Sequence, residues 1–528
     1  MKRKEFLKAT GAATTILPGV FGSLSVKALN NNNPFAQLLA NGTTNNDHVL
    51  VLIQLSGGND GLNMVIPIDV YSSYNNARTN IAISESKLLA LNGFPKTGLH
   101  PAMTGIQALF NEGKAAVVQS VGYPTPSFSH FRATDIWMSA SNANVELNTG
   151  WAGRYLNYEY QNYPTGYPNT TMPDPLAIQI GSITSLTMQG PSTTMGVSIS
   201  NPNTFYNIIN GVTDPVPATR AGKELDYIRL VAKQSNSYGQ VMQAAALRVP
   251  TQGAYPSGNY LADQLKIVAK LIKGGLKTKV YMVSTGGFDT HFQQTSTTDT
   301  AVGAHATLLK NLSDAVKAFM DDCKGLGIAD RIACMTFSEF GRRVKSNSSG
   351  GTDHGAASPL FLFGNKIQAQ VLGNSPALPT TATVNDNVIM QYDFRSIYAT
   401  VLEKWFCIPK ADVGMVMLNN FQSLPLFKTN SCADVHDVNA LAGIKLVSMY
   451  PNPFAVNTRI TFNTTGGHTL IQIMDATGRL VAVPLERTYA EPGIYAIDFD
   501  GSRLANGTYY VRYQNGAAQQ VKPMLKQN

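Results

Sequence analysis

Histidine is scarce in this chain, with 8 in 528 residues, yet several stand beside carboxylates or hydroxyls in glycine-rich stretches. Asp289-Thr290-His291 follows Gly286-Gly287-Phe288. Residues two apart in an extended segment point to the same side. Asp289 oxygen and His291 nitrogen can therefore supply half of a metal site; the same pattern also suits a surface loop with a capping Asp. Gly350-Gly351-Thr352-Asp353-His354-Gly355 pairs Asp353 with His354 in the same way. In Gly57-Gly58-Asn59-Asp60-Gly61 the glycines let the backbone turn away from Asp60, which is either a hard-metal ligand or a turn stabiliser. Glu339, in Ser338-Glu339-Phe340-Gly341-Arg342-Arg343, is a further ligand or the ion-pair partner of a neighbouring arginine. Ser127-Phe128-Ser129-His130 leads into a helical pattern. A hydroxyl at a helix N-terminus faces orphan N–H groups and the positive dipole end, a setting for a nucleophile attacking an anionic ester or for holding the anion. Serine is equally a helix cap, so Ser127 takes the cap role, Ser129 the nucleophile role and His130 a place in the site.

Strands ending at these motifs must position them. His48–Leu55 is an apolar run feeding the Gly57–Gly61 loop, and Lys114–Ser120, Val280–Ser284, Arg331–Phe337 and Leu360–Phe363 read as further strands. Helical patterns cover 101–111, 130–140, 151–158, 222–247, 258–274, 301–324 and 393–405, while 160–220, rich in Pro, Thr, Ser and Gly, reads as an irregular insertion. Strands alternating with helices predict an α/β fold, a mainly parallel sheet sandwiched by helices. Such sheets bind ligands at the C-terminal ends of their strands, where the polar clusters fall. After about residue 440, β-type runs recur at 444–449, 458–463, 469–474, 494–499, 507–513 and 520–525, separated by turns; this predicts a small C-terminal all-β sandwich.

The net charge of +8 is a property of the two ends. Residues 1–30 carry +4 and 441–528 carry +3, which leaves +1 for the body. No basic run with interleaved aromatics occurs, which argues against a nucleic-acid partner. Residues 1–28 read as an export signal: Lys2-Arg3-Lys4, a mildly apolar stretch, then Val26-Lys27-Ala28 as a cleavage site. Arg3-Lys4-x-Phe6-Leu7-Lys8 is similar to the twin-arginine pattern with Lys in the second arginine place, and the Sec route stays open. A polar linker, 29–47, follows. Elsewhere no run of 18 apolar residues is present, so no transmembrane span is expected. None of the four cysteines has zinc spacing; Cys407 and Cys432 flank one loop and either form a disulfide or join Cys323 and Cys334 as buried thiols.

Leu55-Ser-Gly-Gly-Asn-Asp-Gly-Leu, Ser129-His-Phe-Arg, Gly286-Gly-Phe-Asp-Thr-His, Phe337-Ser-Glu-Phe-Gly-Arg and Gly350-Gly-Thr-Asp-His-Gly together resemble the sulfatase-like domain-of-unknown-function family numbered 1501 over about residues 48–425. That family is related to the alkaline phosphatase and sulfatase superfamily, whose parallel sheet carries one or two metals beside a Ser, Thr or modified Cys. The resemblance implies an alkaline phosphatase-like domain over 48–430. It puts Asp60 at the first-strand metal position, Ser129 near the nucleophile, Asp289 and His291 at a ligand pair, and His354 at the late ligand with Asp353 beside it. Glu339-Phe340-Gly341 stands where relatives have Asp-His-Gly, so Phe340 replaces a ligand histidine. No Cys/Ser-x-Pro-x-Arg sequence lies near 120–132, so the formylglycine mechanism is not supported.

Tyr450-Pro-Asn-Pro-Phe454, Asp475-Ala-Thr-Gly-Arg479 and Leu504-Ala-Asn-Gly-Thr-Tyr-Tyr-Val511 resemble the type A sorting domain of type IX secretion in Bacteroidetes, which implies the type IX machinery as partner through 441–528 and a secreted or surface-attached product. The expectation is an exported, metal-dependent hydrolase of phosphate or sulfate esters, taking an anionic ester or glycan and using Zn, Mn, Mg or Ca. The alternative is a non-catalytic exported protein that keeps the fold and a structural metal.

Overall fold

The computed structural model describes residues 46–160, 163–200, 238–428, 432, 445–464, 466–475, 478–491, 493–515 and 518–527. The export signal and most of the linker fall outside these residues. The chain divides into two compact units.

The larger unit takes in Asp47–Phe406 and Val416–Ser431. Nine strands form its main sheet: β1 Val49–Leu55, β2 Ala115–Gly122, β3 Ala177–Ile180, β4 Gly196–Ile199, β5 Val280–Thr285, β6 Ile332–Phe337, β7 Ser358–Phe363, β8 Gln370–Leu372 and β9 Tyr392–Asp393. Their order is β8-β2-β7-β6-β1-β5-β3-β4, with β9 also paired to β2. Parallel pairing joins β1 to β5 and to β6, with Gln54 level with both Ser284 and Phe337. β1 is buried along its whole length, as a strand covered on both faces must be. Val49, Val51, Ile53 and Leu55 share a core with α1 (Thr104–Asn111), α4 (Tyr260–Lys273) and α5 (Ala304–Gly325). Phe337, opposite in parity to Ile332 and Cys334, turns to the other face. There it meets Trp137 of α2 (His130–Ser139), which stacks on Phe394 at 4.3 Å; Trp151, opening α3 (Trp151–Glu159), stacks on Tyr398 at the same distance.

Two expectations need correction, and a third lies partly outside the described residues. The strand predicted at Leu360–Phe363 is present as β7, but it runs antiparallel to both β6 and β2. The stretch 160–220 is not wholly irregular, because β3 and β4 within it extend the sheet edge beyond β5. Of the helix expected at 222–247, residues 238–247 are helical and the rest lies outside the described residues. The reversal of β7 matters for the site. β6 leaves the sheet at its C-terminal end, and the chain makes an antiparallel ribbon, Arg342–Ser346 with Thr352–His354, then re-enters at the same end. His354 is thereby held over the strand ends that carry Asp60 and Asp289.

The smaller unit includes Cys407–Met415 and Cys432–Asn528, and Cys407 and Cys432 are disulfide-bonded. Its β-sandwich has a three-stranded sheet (Lys445–Tyr450, Asn457–Thr464, Gly493–Asp500) and a four-stranded one (Leu480–Tyr489, Gly467–Met474, Gly507–Asn515, Ala518–Lys526). Ile460 and Phe462, Ile471 and Ile473, and Tyr509, Val511 and Tyr513 alternate inward to make the core. Leu480–Tyr489, not anticipated from sequence, is a partly exposed edge strand of mixed polarity.

Candidate metal centre

His130 is the first residue of α2, with Ser129 at the N-cap position. Ser127 is therefore not the cap; its Oγ instead accepts a 3.3 Å bond from the Ser129 N–H. Ser129 makes no side-chain cap bond and is exposed to solvent. His130 Nδ1 lies 2.9 Å from Glu339 Oε1, just beyond β6. The same oxygen accepts the Gly57 N–H at 2.8 Å, so one buried carboxylate ties the β1 loop to the imidazole. Glu339 is thus paired with a histidine and a backbone amide, not with the adjacent arginines.

Asp289 is the hub. His130 Nε2 is 3.4 Å from its Oδ2, while His291 Nε2 and His354 Nε2 are each 3.1 Å from its Oδ1. The last two nitrogens are 2.9 Å apart. The ligand atoms of His130, Asp289 and His354 all lie within 4.8 Å of one another. For nitrogen and oxygen donors about 2.0–2.1 Å from a tetrahedral ion, neighbouring donors are about 3.3 Å apart. The observed contacts fall on either side of that value.

The outer nitrogens explain the inner ones. His354 Nδ1 is 2.8 Å from the Phe128 carbonyl, which can only accept, so Nδ1 carries the proton. His130 Nδ1 faces Glu339 in the same way, and His291 Nδ1 faces Asp353 Oδ1 at 3.4 Å. In the neutral tautomers that these outer acceptors favour, three Nε2 lone pairs face a carboxylate that also accepts Arg342 Nη2. This donor set fits a cation. Burial lowers the basicity of His354, against the raising effect of the Phe128 carbonyl. Burial would raise the Asp289 carboxyl, but the opposing influences, that of Arg342 first, hold it at about 2.

Arg342, fully buried, shapes this floor. Its Nε donates to Gly58 O (2.6 Å), Nη1 to Thr352 O (2.9 Å), and Nη2 to Phe288 O (3.1 Å) and Asp289 Oδ1 (2.6 Å). The loops meet so closely that side chains are excluded: a Cβ on Gly57, at φ +122°, would stand 2.4 Å from Asp289 N, and one on Gly351 2.3 Å from the His291 carbonyl carbon. Phe340 is buried, and its ring lies 4.9 Å from that of His130 and 4.5 Å from that of His354. The position where a ligand histidine was expected is an apolar wall.

Asp60 stands outside the group. It is fully buried, and both its oxygens receive Arg78 Nη1, at 2.8 and 2.6 Å. Its Oδ2 also accepts Gln294 Nε2 at 2.6 Å. Burial pushes the Asp60 carboxyl up, but Arg78, His305 and the two donors bring it below its ordinary value.

Residues 251–406 match the family model described as "Protein of unknown function (DUF1501)". This stretch is similar to that family. It contains Asp289, His291, Glu339, Asp353 and His354, while Asp60 and His130 lie before it. Residues 448–527 match the "Secretion system C-terminal sorting domain", which marks the chain for export. No curated protein matches the sequence. Solved structures with a distant likeness include three that cover most of the chain. One is a Bacteroides thetaiotaomicron protein described with the metabolism of multiple glycosaminoglycans (10 % identity, TM-score 0.35, covering 90 % of this chain and 88 % of that one). Another is a sulfatase from Pseudoalteromonas sp. (11 %, 0.31, 85 % and 83 %), and a third an alkaline phosphatase superfamily protein from Vibrio parahaemolyticus (10 %, 0.30, 99 % and 90 %). Sequence reasoning missed two residues of the matched stretch, Arg342 and Gln294. Arg342 was visible only as a neighbour of Glu339, and Gln294 carries no motif signal at all.

Proposed function

We propose that this is an exported, metal-dependent hydrolase of phosphate or sulfate esters. In this reading residues 48–430 do the chemistry and 441–528 engage the type IX secretion machinery, after 1–28 have directed the chain across the inner membrane. The observation that carries the metal reading is the convergence of His130, His291 and His354 Nε2 on the Asp289 carboxylate. Those four side chains would hold one ion, with Glu339 and Asp353 orienting imidazoles from behind, as carboxylates do in carboxylate–histidine–metal arrangements. Three imidazoles and one carboxylate favour Zn or Mn over Mg or Ca. Bound there, the ion would polarise the ester and offset charge developing on it. The chain's own part is binding and attack. The free N–H groups of α2 and its dipole favour an anionic ester beside Ser129. Ser129 lies between Phe128, whose carbonyl holds His354, and His130, so its hydroxyl is carried by the same framework. Its oxygen would bond to phosphorus or sulfur as the bond to the alcohol oxygen breaks, the hydroxyl proton leaving with that alcohol, and water would then cleave the seryl ester to release phosphate or sulfate and restore the hydroxyl.

Elemental analysis of the purified chain, with aryl phosphate and aryl sulfate turnover before and after chelation, tests this. About one equivalent of Zn or Mn, with turnover lost on chelation and in Ser129→Ala, is expected. Stoichiometric metal that raises the melting temperature, with no turnover of either ester, would instead support a non-catalytic protein with a structural ion. The burial of Phe340 against His130 and His354 favours that second reading, because it removes room for another ligand.

A further inference from the structure

Gln294 lies three residues beyond His291 and is fully buried. Its amide donates to Asp60 Oδ2 at 2.6 Å. That bond fixes which end of the side chain is which, since a carboxylate can only accept. The carbonyl Oε1 is thereby aimed at two hydroxyls, Thr290 Oγ1 at 2.9 Å and Thr352 Oγ1 at 3.1 Å. Thr290 sits between Asp289 and His291, and Thr352 is two residues before His354. The two segments also touch through the backbone, where Thr352 N–H donates to Thr290 O at 3.1 Å. They come from different parts of the fold, one after β5 and the other on the ribbon after β6. Asp60 is held in turn by Arg78.

We propose that Gln294 is a positioning residue that clips the two histidine-bearing segments together, and that Asp60 is its anchor and not a ligand. Asp60, oriented by Arg78, sets the Gln294 amide; the amide's other end sets Thr290 and Thr352; these fix the spacing of His291 and His354 over Asp289. This rests on the proposed metal reading for one of its two readouts only. Outer partners of metal ligands typically contribute 10–100-fold in metal affinity, and a clip acting through the backbone belongs at the lower end of that range.

The test uses the full chain. Gln294→Glu keeps an acceptor for both threonines but sets two carboxylates against each other, whereas Asp60→Asn with Gln294→Glu restores one carboxylate and one amide in exchanged places. In the metal-free protein, hydrogen exchange is followed over peptides covering 289–294 and 351–355, with β1 as reference. Zn titration by calorimetry follows. Gln294→Glu should speed exchange in both segments while β1 stays protected, and should weaken Zn binding about tenfold. The double variant should recover both to within about threefold, a partial rescue expected of coupled neighbours. Uniform loss of protection including β1, or no rescue, would overturn the clip. If wild type binds no Zn or Mn, the metal reading fails, and the exchange result still decides the clip.

Discussion

Arg78→Met offers the sharpest test of how the floor of the site is held. Both partners of the Arg78–Asp60 pair have fully buried side chains. Arg78 also donates to Val344 O at 2.9 Å, Arg343 O at 2.6 Å and Asn63 Oδ1 at 3.1 Å. Breaking a buried pair from one side typically costs about 3–5 kcal/mol, and three orphaned acceptors put this case at the upper end. The pH dependence should also change sign. In wild type the native Asp60 carboxyl lies below its unfolded value of 3.8. The stabilisation is therefore complete above that value and is lost as pH falls through the native one. Without Arg78, burial, the largest influence on Asp60, pushes its carboxyl up. The native variant would then hold a proton that the unfolded chain releases. Its stability should fall as pH rises above about 4, by up to about 1.4 kcal/mol per pH unit until the raised native value is passed. All three tryptophans, Trp137, Trp151 and Trp405, lie in the larger unit, so urea unfolding by tryptophan fluorescence reads that unit directly. Asp60→Asn in the Arg78→Met background should recover about 2 kcal/mol at pH 7 and abolish the slope, since neighbouring sites couple by up to about 3 kcal/mol. A loss below 1 kcal/mol with a flat pH profile would refute the reasoning.

Three further outcomes follow from the same structure. Burial holds His305 at about 4, so its neutral form is favoured in the fold; stability that is intact above the ordinary value of 6.5 should decline by about 3 kcal/mol as pH falls from 6.5 towards 4, and His305→Gln should flatten that decline in acid urea titrations. Cys323 and Cys334 are buried, and burial raises both thiols. The native chain should therefore resist iodoacetamide, with labelling of either cysteine before unfolding counting against the packing. Cys407→Ser removes a disulfide across a separation of 25 residues and should cost about 3 kcal/mol in a non-reducing melt; an unchanged melting temperature would mean that the bridge constrains nothing.

What could be read from the sequence follows how local each signal is. β1, β5 and β6 are apolar runs that end in glycine loops, so both their type and the side on which chemistry collects were visible. β7 carries the same apolar signal, but strand direction is set by where the preceding loop returns the chain, which no local pattern encodes. β3 and β4 are four residues each and are embedded in Pro- and Ser-rich chain; tertiary pairing of β3 to β5, and of β4 to β3, overrides that composition. The motif residues Asp289, His291, Asp353 and His354 were legible because histidine beside carboxylate is rare here. His130 was placed in the site, but its direct contact with Asp289 and His354 was not legible, since it depends on α2 and the ribbon converging from sequence positions more than 200 residues apart.

Asp60 and Asp289 show why residue type at a strand end is not enough to name a ligand. Both follow central strands, and both are preceded by paired glycines. Asp289 lies partly open beneath three imidazole Nε2 atoms, with Arg342 on one of its oxygens. Asp60 is sealed, with a guanidinium on both oxygens and an amide on one. A divalent ion at Asp60 would have to displace Arg78 and leave a buried cation without its partner, at about 3–5 kcal/mol, as well as release Gln294 from the two threonines. An ion at Asp289 meets a carboxylate whose Oδ1 already accepts Arg342 Nη2 and whose Oδ2 faces His130 Nε2. The deciding residue, Arg78, lies 18 positions beyond the motif, in a stretch with no chemical signature of its own. Its presence turns a carboxylate with the sequence setting of a ligand into the anchor of the clip that spaces His291 and His354.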